Sequence, residues 1–217
     1  MTATVAAAPV FGAALAQVEA YAALLAGPGV ERGLIGPRET PRLWERHLLN
    51  CAGVSDLVDD GQVVLDLGSG AGLPGLVLAL LRPEVQVVLV EPLLRRATFL
   101  TEAVETLGLR NTVVRRARAE DLHGTMLVDV VTARAVAPVD RLAGWALPLL
   151  PPGGRLLAMK GSKAADELAA AGPALRRLGA HSSCVVEVGS EDLGTHGRVV
   201  VVEAGTSPTP PTRKGRR

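Results

Sequence analysis

"VVLDLGSGAGLPG", residues 63–75, decides how the chain is read. A run of apolar, mostly β-branched residues reaches Asp66, and then Gly68, Gly70, Gly72 and Gly75 arrive within eight positions. Such a run suits a buried strand, and the "LPGLVLALLR" that overlaps its end reads as a helix. Strand, glycine-rich turn and helix in that order make a place where backbone can approach a ligand closely. The open question is whether the turn holds a dinucleotide, a phosphate or another nucleoside-bearing cofactor.

The same alternation continues outward. "EVQVVLVE" (84–91) predicts the next strand, and "LLRRATFLTEAVETLG" (93–108) a helix closed by Gly108. Strands are expected at "NTVVRRA" (111–117), "MLVDVVTA" (126–133) and "GGRLLAMKG" (153–161), with a helix at "VDRLAGWALPLL" (139–150). A further helix over "AADELAAAGPALRRLG" (164–179) should break or kink at Pro173. "HSSCVVEVG" and "GRVVVVEA" follow each other with no helix between them, so an antiparallel edge hairpin is expected. The class is therefore α/β: a doubly wound, mostly parallel, seven-stranded sheet covered on both faces. Upstream, residues 11–26 have helical spacing and meet a stop at Gly27-Pro28-Gly29. "TPRLWERHLLNCAGV" (40–54) predicts a second helix, with Thr40 as cap and Pro41 in the first helical position. The organisation expected is a helical extension over 1–60, a ligand-binding domain over 61–204 and a disordered Pro-rich basic tail over 205–217.

Composition narrows the class. With 217 residues, 48% hydrophobic and 21% charged, the chain can bury one substantial core. Cys51 and Cys184 cannot make a disulfide framework or a four-ligand zinc site, which fits a reducing, cytoplasmic setting. The Ala-rich start has no basic residue before it and is interrupted by Gln17 and Glu19, so neither a signal peptide nor a membrane span is expected. Net charge is +1, but residues 1–204 carry 19 basic against 22 acidic groups, so nucleic-acid contact would have to use local patches. No metal cluster is visible, and His47, His123, His181 and His196 are scattered.

Two cofactor classes compete for the turn. A dinucleotide wants G-x-G-x-x-G directly after the strand. Counted from Gly68 the third glycine position is Leu73; counted from Gly70 the pattern matches two residues late, and Pro74 removes an N–H at the helix start. S-adenosylmethionine carries no phosphate. Its methionine ammonium suits Asp66, and Gly68, Gly70 and Gly72 leave room for the methionine and ribose. Glu91, ending the second strand, can accept the ribose hydroxyl protons, a feature that dinucleotide sites share. "RARAEDL" (116–122) follows the third strand, where adenine would be read by Ala119 and Glu120. Glu120 and Asp121 could instead simply favour a helix N-terminus.

"VVLDLGSGAGLPGLVLAL", "VEPLLRRATFL", "ARAEDL", "TARAVAP" and "LLAMKG", in that order, resemble the bacterial glucose-inhibited division B family. "LIGPRETPRLWERHLLN" is similar to that family's N-terminal region, and the resemblance spans roughly residues 30–204. It implies a Rossmann-like class I methyltransferase acting on N7 of a guanine in 16S rRNA, in the 30S subunit or an assembly intermediate. It also implies cofactor contacts at Gly68, Leu73, Glu91, Ala119, Glu120 and Arg134, with Arg134 the candidate catalytic residue. Bidentate Arg recognition of guanine uses O6 and N7. Since N7 must stay free to react, Arg134 should reach O6, a phosphate or the cofactor. RNA contacts are expected from Arg42, Arg46, His47, Arg95, Arg96, Lys160 and Lys163. Arg outnumbers Lys 20 to 3, and Arg is the better bidentate phosphate ligand. The alternatives are an NAD(P)-dependent oxidoreductase, a nonenzymatic cofactor-binding module for RNA or protein, and a small-molecule methyltransferase.

Overall fold

The computed structural model describes residues 3–189 and 197–206. His196 and the tail from residue 207 lie outside them. A seven-stranded sheet with order β3-β2-β1-β4-β5-β7-β6 forms the centre. Its strands are β1 (Val63–Leu67), β2 (Gln86–Val90), β3 (Thr112–Arg115), β4 (Val130–Arg134), β5 (Arg155–Lys160), β6 (Ala180–Val188) and β7 (Gly197–Ala204). The first five are mutually parallel, while β7 runs antiparallel to both β5 and β6. Every expected strand is present, and the edge hairpin is β6–β7. Winding reverses between β1 and β4, the place where ligands bind beyond the strand ends in such sheets.

The helices are α1 (Ala3–Phe11), α2 (Leu15–Leu24), α3 (Asn50–Ala52), α4 (Gly75–Leu81), α5 (Leu94–Thr106), α6 (Val139–Ala146) and α7 (Ala164–Arg177). Strand residues alternate between two faces. Val64, Val87, Leu89 and Val130 pack with Leu76, Phe99 and the N-terminal Tyr21 and Leu25. Leu65, Val88, Val131 and Leu156 pack against Leu142 and Ala143 of α6 and Leu175 of α7. The N-terminal extension therefore shares its core with α4 and α5. The helical stretch Ala7–Gly29 is long and apolar enough to cross a bilayer by length and composition. Its Phe11, Val18, Tyr21 and Leu25 are buried in the core shared with α4 and α5, and Val10, Leu15 and Leu24 pack partly against it.

Two helix boundaries correct the sequence reading. Helical turns do not stop at Gly27-Pro28-Gly29; a wide π turn, Leu25–Gly29, carries them onward. Pro28 has no N–H to lose from the ladder, and the wide turn accommodates it. The stop is Gly33, at φ +65°, where the Leu34 amide donates to Gly29 O (2.8 Å) and the Gly33 amide to Val30 O (2.9 Å). Thr40 is not a cap. The next segment starts at Pro37 as 3-10 turns (Pro37–Arg42), continues as π turns (Leu43–Leu49) and ends through α3 and Gly53–Leu57. Pro37 holds the first position because its ring presets φ, and the Glu39 amide closes the first turn on Gly36 O.

Pro173 does not break α7. It sits on the exposed side, where the carbonyl it abandons can turn to water, and Ala171 and Leu175 beside it are buried on the sheet. That burial holds a helix that proline disfavours by about 3 kcal/mol. Pro173→Ala should therefore raise the unfolding free energy by roughly 1–3 kcal/mol in urea denaturation; no change, or a loss, would mean that the local turn is already distorted to suit proline.

Candidate cofactor site and its neighbourhood

A cavity of about 620 Å³ opens at the carboxyl ends of β1, β2 and β4, within the range of small-molecule sites. One side is the glycine turn. There the amides of Gly68 and Ser69 donate back to Val90 O (2.8 and 3.1 Å), and those of Gly72 and Leu73 to Ser69 O (2.7 and 3.3 Å). The Gly70 amide donates to Glu91 Oε2 at 3.0 Å, and the Gly75 amide to Asp66 Oδ2 at 3.2 Å. A dinucleotide's pyrophosphate needs such amides pointing at it. Here they are committed within the protein, which disfavours the oxidoreductase reading.

Glu91 is 2% exposed yet lines the cavity. Its Oε1 accepts the Leu93 amide at 3.0 Å as Oε2 accepts that of Gly70, so two backbone donors fix the carboxylate. Each oxygen keeps a lone pair for a further donor such as a ribose hydroxyl. This donor set fits the ribose of a nucleoside. Ala119 and Glu120 line the far side at the start of a short 3-10 turn, Ala119–Leu122, whose first amides have no acceptor within the turn. Asp121 takes the local role instead, its Oδ2 accepting the Arg118 amide at 3.1 Å.

Asp66 does not face the cavity. It is fully buried on the α4 side of β1, with Oδ1 accepting the Thr132 hydroxyl at 3.2 Å and Oδ2 the Gly75 amide. Burial pushes its carboxyl up to about 6, against the pull of the Gly75, Ser69 and Thr132 hydrogen bonds. A Cβ on Gly75 would lie 2.7 Å from that carboxylate, so this glycine lets the helix sit down on the strand. Gly72 is likewise a packing glycine: a Cβ there would meet the Tyr21 hydroxyl at 2.9 Å. Tyr21 donates to Ala71 O at 2.8 Å, so the N-terminal helix braces the turn from behind. Burial raises the Tyr21 phenol well above its usual value, which keeps it a neutral donor. Gly68 and Leu73 do line the cavity, and Val136 lies 2.9 Å from where a Gly68 Cβ would be.

Arg134, the last residue of β4, lines the cavity but spends its terminal nitrogens on the N-terminal extension. Nη1 donates to Cys51 Sγ at 3.1 Å, and Nη2 to Arg46 O (3.0 Å) and His47 Nδ1 (2.9 Å). An arginine only donates, so Nδ1 accepts and the proton sits on Nε2, which donates to Glu39 Oε2 at 2.9 Å. His47 is thus held neutral: burial lowers its pKa, the Arg134 charge adds to this, and the Glu39 hydrogen bond opposes it. Glu39, held by His47 and flanked by Arg46 at 3.1 Å, is lowered. Burial pushes the Cys51 thiol up, against the pull of Arg134.

The other predicted RNA contacts divide. His47 and Arg96 reach the cavity; Arg42, Arg95 and Lys163 are exposed away from its lining; Arg46 is paired with Glu39; Lys160 is taken up by Glu167. Arg96 Nη1 stands 3.8 Å from Glu91 Oε2, and its Nε is buried without a hydrogen-bond partner among the described residues. Ile35, Leu93, Val136 and Trp145 also line the cavity and were missed. Trp145, with the Arg141 guanidinium 5.3 Å from its ring centroid, had only its aromatic character as a signal. Among the described residues no group of three or more His, Cys, Asp or Glu is placed to hold a metal ion.

Comparison with solved structures gives the fold. The fold matches an S-adenosylmethionine-dependent methyltransferase from Aquifex aeolicus, with TM-score 0.58 and 20% identity, covering 79% of this chain and 97% of that one. It is the Rossmann-like methyltransferase fold. Sequence comparison gives the family. The model of the GidB family, rRNA small subunit methyltransferase G, matches residues 14–194. The Ribosomal RNA small subunit methyltransferase G of Streptomyces coelicolor is 56% identical over 200 residues, 92% of this chain and 84% of that protein. That of Kineococcus radiotolerans is 55% identical over 217 residues, 96% of this chain and 85% of that protein. The chain belongs to the rRNA small subunit methyltransferase G family.

Two measurements probe the site. Gly70 sits at φ +58° with its amide on Glu91. Gly70→Asp would add backbone strain and a second carboxylate beside a buried one, so S-adenosylhomocysteine affinity should fall by roughly 100-fold or more in calorimetric titration; unchanged affinity would remove the turn from the site. The second concerns pH. Because His47 is depressed below the usual imidazole value of 6.5, the folded state binds fewer protons than the unfolded chain just below that value. Its contribution to stability is full above pH 6.5 and is lost as pH falls through the depressed value. Asp66, raised to about 6, has the opposite sign: its contribution falls as pH rises from about 4 to 6. Asp66 is common to wild type and His47→Gln, so the difference between the two isolates the imidazole. The stability gap in urea should narrow from pH 7.5 to 5.5; a gap independent of pH would mean that His47 is not held neutral.

Proposed function

We propose that the protein transfers a methyl group from S-adenosylmethionine to N7 of a specific guanine in 16S rRNA. It acts in the cytoplasm on the 30S subunit or a late assembly intermediate. The observation that carries the reading is Glu91: a buried carboxylate fixed by two backbone donors at the cavity wall, beside a turn most of whose amides are bonded within the protein. Relatives at about 55% identity named for small-subunit ribosomal RNA support the substrate.

S-adenosylmethionine supplies an electrophilic methyl on a sulfonium. Guanine N7 offers an in-plane lone pair and carries no proton, so no general base is asked of the chain. The protein's part is to position and to exclude water. Glu91 holds the ribose hydroxyls, Ala119 and Glu120 flank the adenine, and Gly68, Gly70 and Leu73 shape the methionine end. Asp66 acts from behind, fixing the turn through Gly75 rather than meeting the ammonium. Arg134 fixes the mouth by tying β4 to the extension, which leaves N7 free of a competing donor. Of the basic residues expected to contact RNA, Arg42, Arg95 and Lys163 are exposed and can meet the RNA backbone.

Labelled S-adenosylmethionine should be incubated with purified 30S subunits and with naked 16S rRNA, both from cells lacking this protein, and the nucleosides identified by mass. Labelled 7-methylguanosine is the expected product, with 30S the better substrate. No product on either, with S-adenosylhomocysteine binding intact, would instead favour a nonenzymatic cofactor-binding module.

A further inference from the structure

The loop Arg134–Val139, from β4 to α6, carries one wall of the cavity. Ala135 and Val136 line it, and Val136 packs over Gly68. Ala135 stands at φ +55°, the only non-glycine residue with positive φ among those described. That conformation is strained for a residue with a Cβ and persists only where the surrounding structure holds it. Here both flanks are held. At one end Arg134 is bonded to residues 46, 47 and 51. At the other, Lys160 Nζ donates to Ala137 O at 2.6 Å and to Glu167 Oε1 at 2.7 Å, and the same Oε1 accepts the Val139 amide at 2.8 Å. Lys160 ends β5, the strand next to β4, and its side chain is only 12% exposed. An ammonium that far from water, with two of its three protons committed, is a poor phosphate ligand and a good clamp.

We infer that Lys160 and Glu167 are positioning residues, a clasp that sets the 134–139 loop against the glycine turn and so fixes where the methyl-accepting base can stand. Lys160 acts through Ala137 and Glu167, not by touching RNA. The inference rests on the proposed methyl transfer for its rate readout, and cofactor binding gives a readout independent of it.

The test compares Lys160→Met, Glu167→Gln and the double variant with wild type, each first melted to fix its thermal midpoint. Three quantities are read at least 10 °C below the lowest midpoint: S-adenosylhomocysteine affinity, single-turnover methyl transfer to 30S subunits, and the salt dependence of RNA binding. Displacing a wall by about 1 Å is enough to slow transfer severely. Both single variants should therefore lose transfer by roughly tenfold or more, with cofactor affinity weakened several-fold in each. The double variant should be no worse than the poorer single, because the two side chains form one unit. The salt slope should not move.

Several results would overturn the clasp. One is a Lys160→Met protein whose RNA salt slope drops by about one while Glu167→Gln is silent, the signature of a phosphate contact. Others are additive losses, normal rate and affinity in both singles, or a lowered midpoint with rate and affinity intact. If wild type itself transfers no methyl, the proposed function fails, and equal, non-additive losses of S-adenosylhomocysteine affinity still decide the clasp.

Discussion

A carboxylate shut away from water ties three elements together where the sheet's winding reverses. Asp66 on β1 takes the Thr132 hydroxyl from β4 and the Gly75 amide from α4, and burial makes its charge costly enough that all these partners are needed. The glycine turn hangs between Asp66 and α4, so its shape follows from that junction. Gly75 permits the approach, Tyr21 braces the turn at Ala71, and Glu91 draws in the Gly70 amide on the cavity side. The turn is thereby pulled from both sides, with the amides of Gly68, Ser69, Gly70, Gly72 and Leu73 occupied. Most of the turn's amides are thus closed to a phosphate, while Glu91 keeps lone pairs towards the cavity, a donor set that fits a ribose.

The N-terminal extension completes this site. His47 and Arg134, 87 residues apart, meet at 2.9 Å, and Glu39 beyond them sets the imidazole's tautomer. The π turns of residues 43–49 supply the Arg46 and His47 carbonyls that face the guanidinium. Such wide turns recur at functional sites because they free backbone groups for other partners. The arginine looks like a chemical group when only the strand is considered. With the extension in place it is a strut.

Much of the fold was legible because β-branched runs and glycine stops are local signals; all seven strands lay where those runs predicted. The helix end misread at Gly27-Pro28-Gly29 is one where a wide turn absorbs the local breaker, and the break allowed for at Pro173 is absent because Ala171 and Leu175 beside it are buried. Of the residues expected at the site, Gly68, Glu91, Ala119 and Glu120 do line the cavity, which opens at the strands' carboxyl ends where local signals placed them. Asp66 was placed on the wrong side: a strand-end acid can point to either face, and alternation along β1 sends this one towards α4. His47's tie to Arg134, Lys160's to Glu167 and the contribution of Trp145 depend on approaches between distant segments, and no spacing in the sequence encodes them.

The order of strands also bears on how the chain assembles as it is made. β7, the last strand described, lies between β5 and β6, its predecessor in sequence. Until the stretch ending near Ala204 has emerged, β5 is a raw edge and β6 has no neighbour to register against. The nucleoside-binding half, β1 to β4, can close on the N-terminal helices well before that. A chain still without β7 would leave the β5 flank unsealed, the kind of exposed edge at which chains stick to one another. The charged and polar residues outward on β6, among them His181, Ser182, Ser183 and Glu187, suit a strand that becomes the permanent border once β7 has slid into its slot.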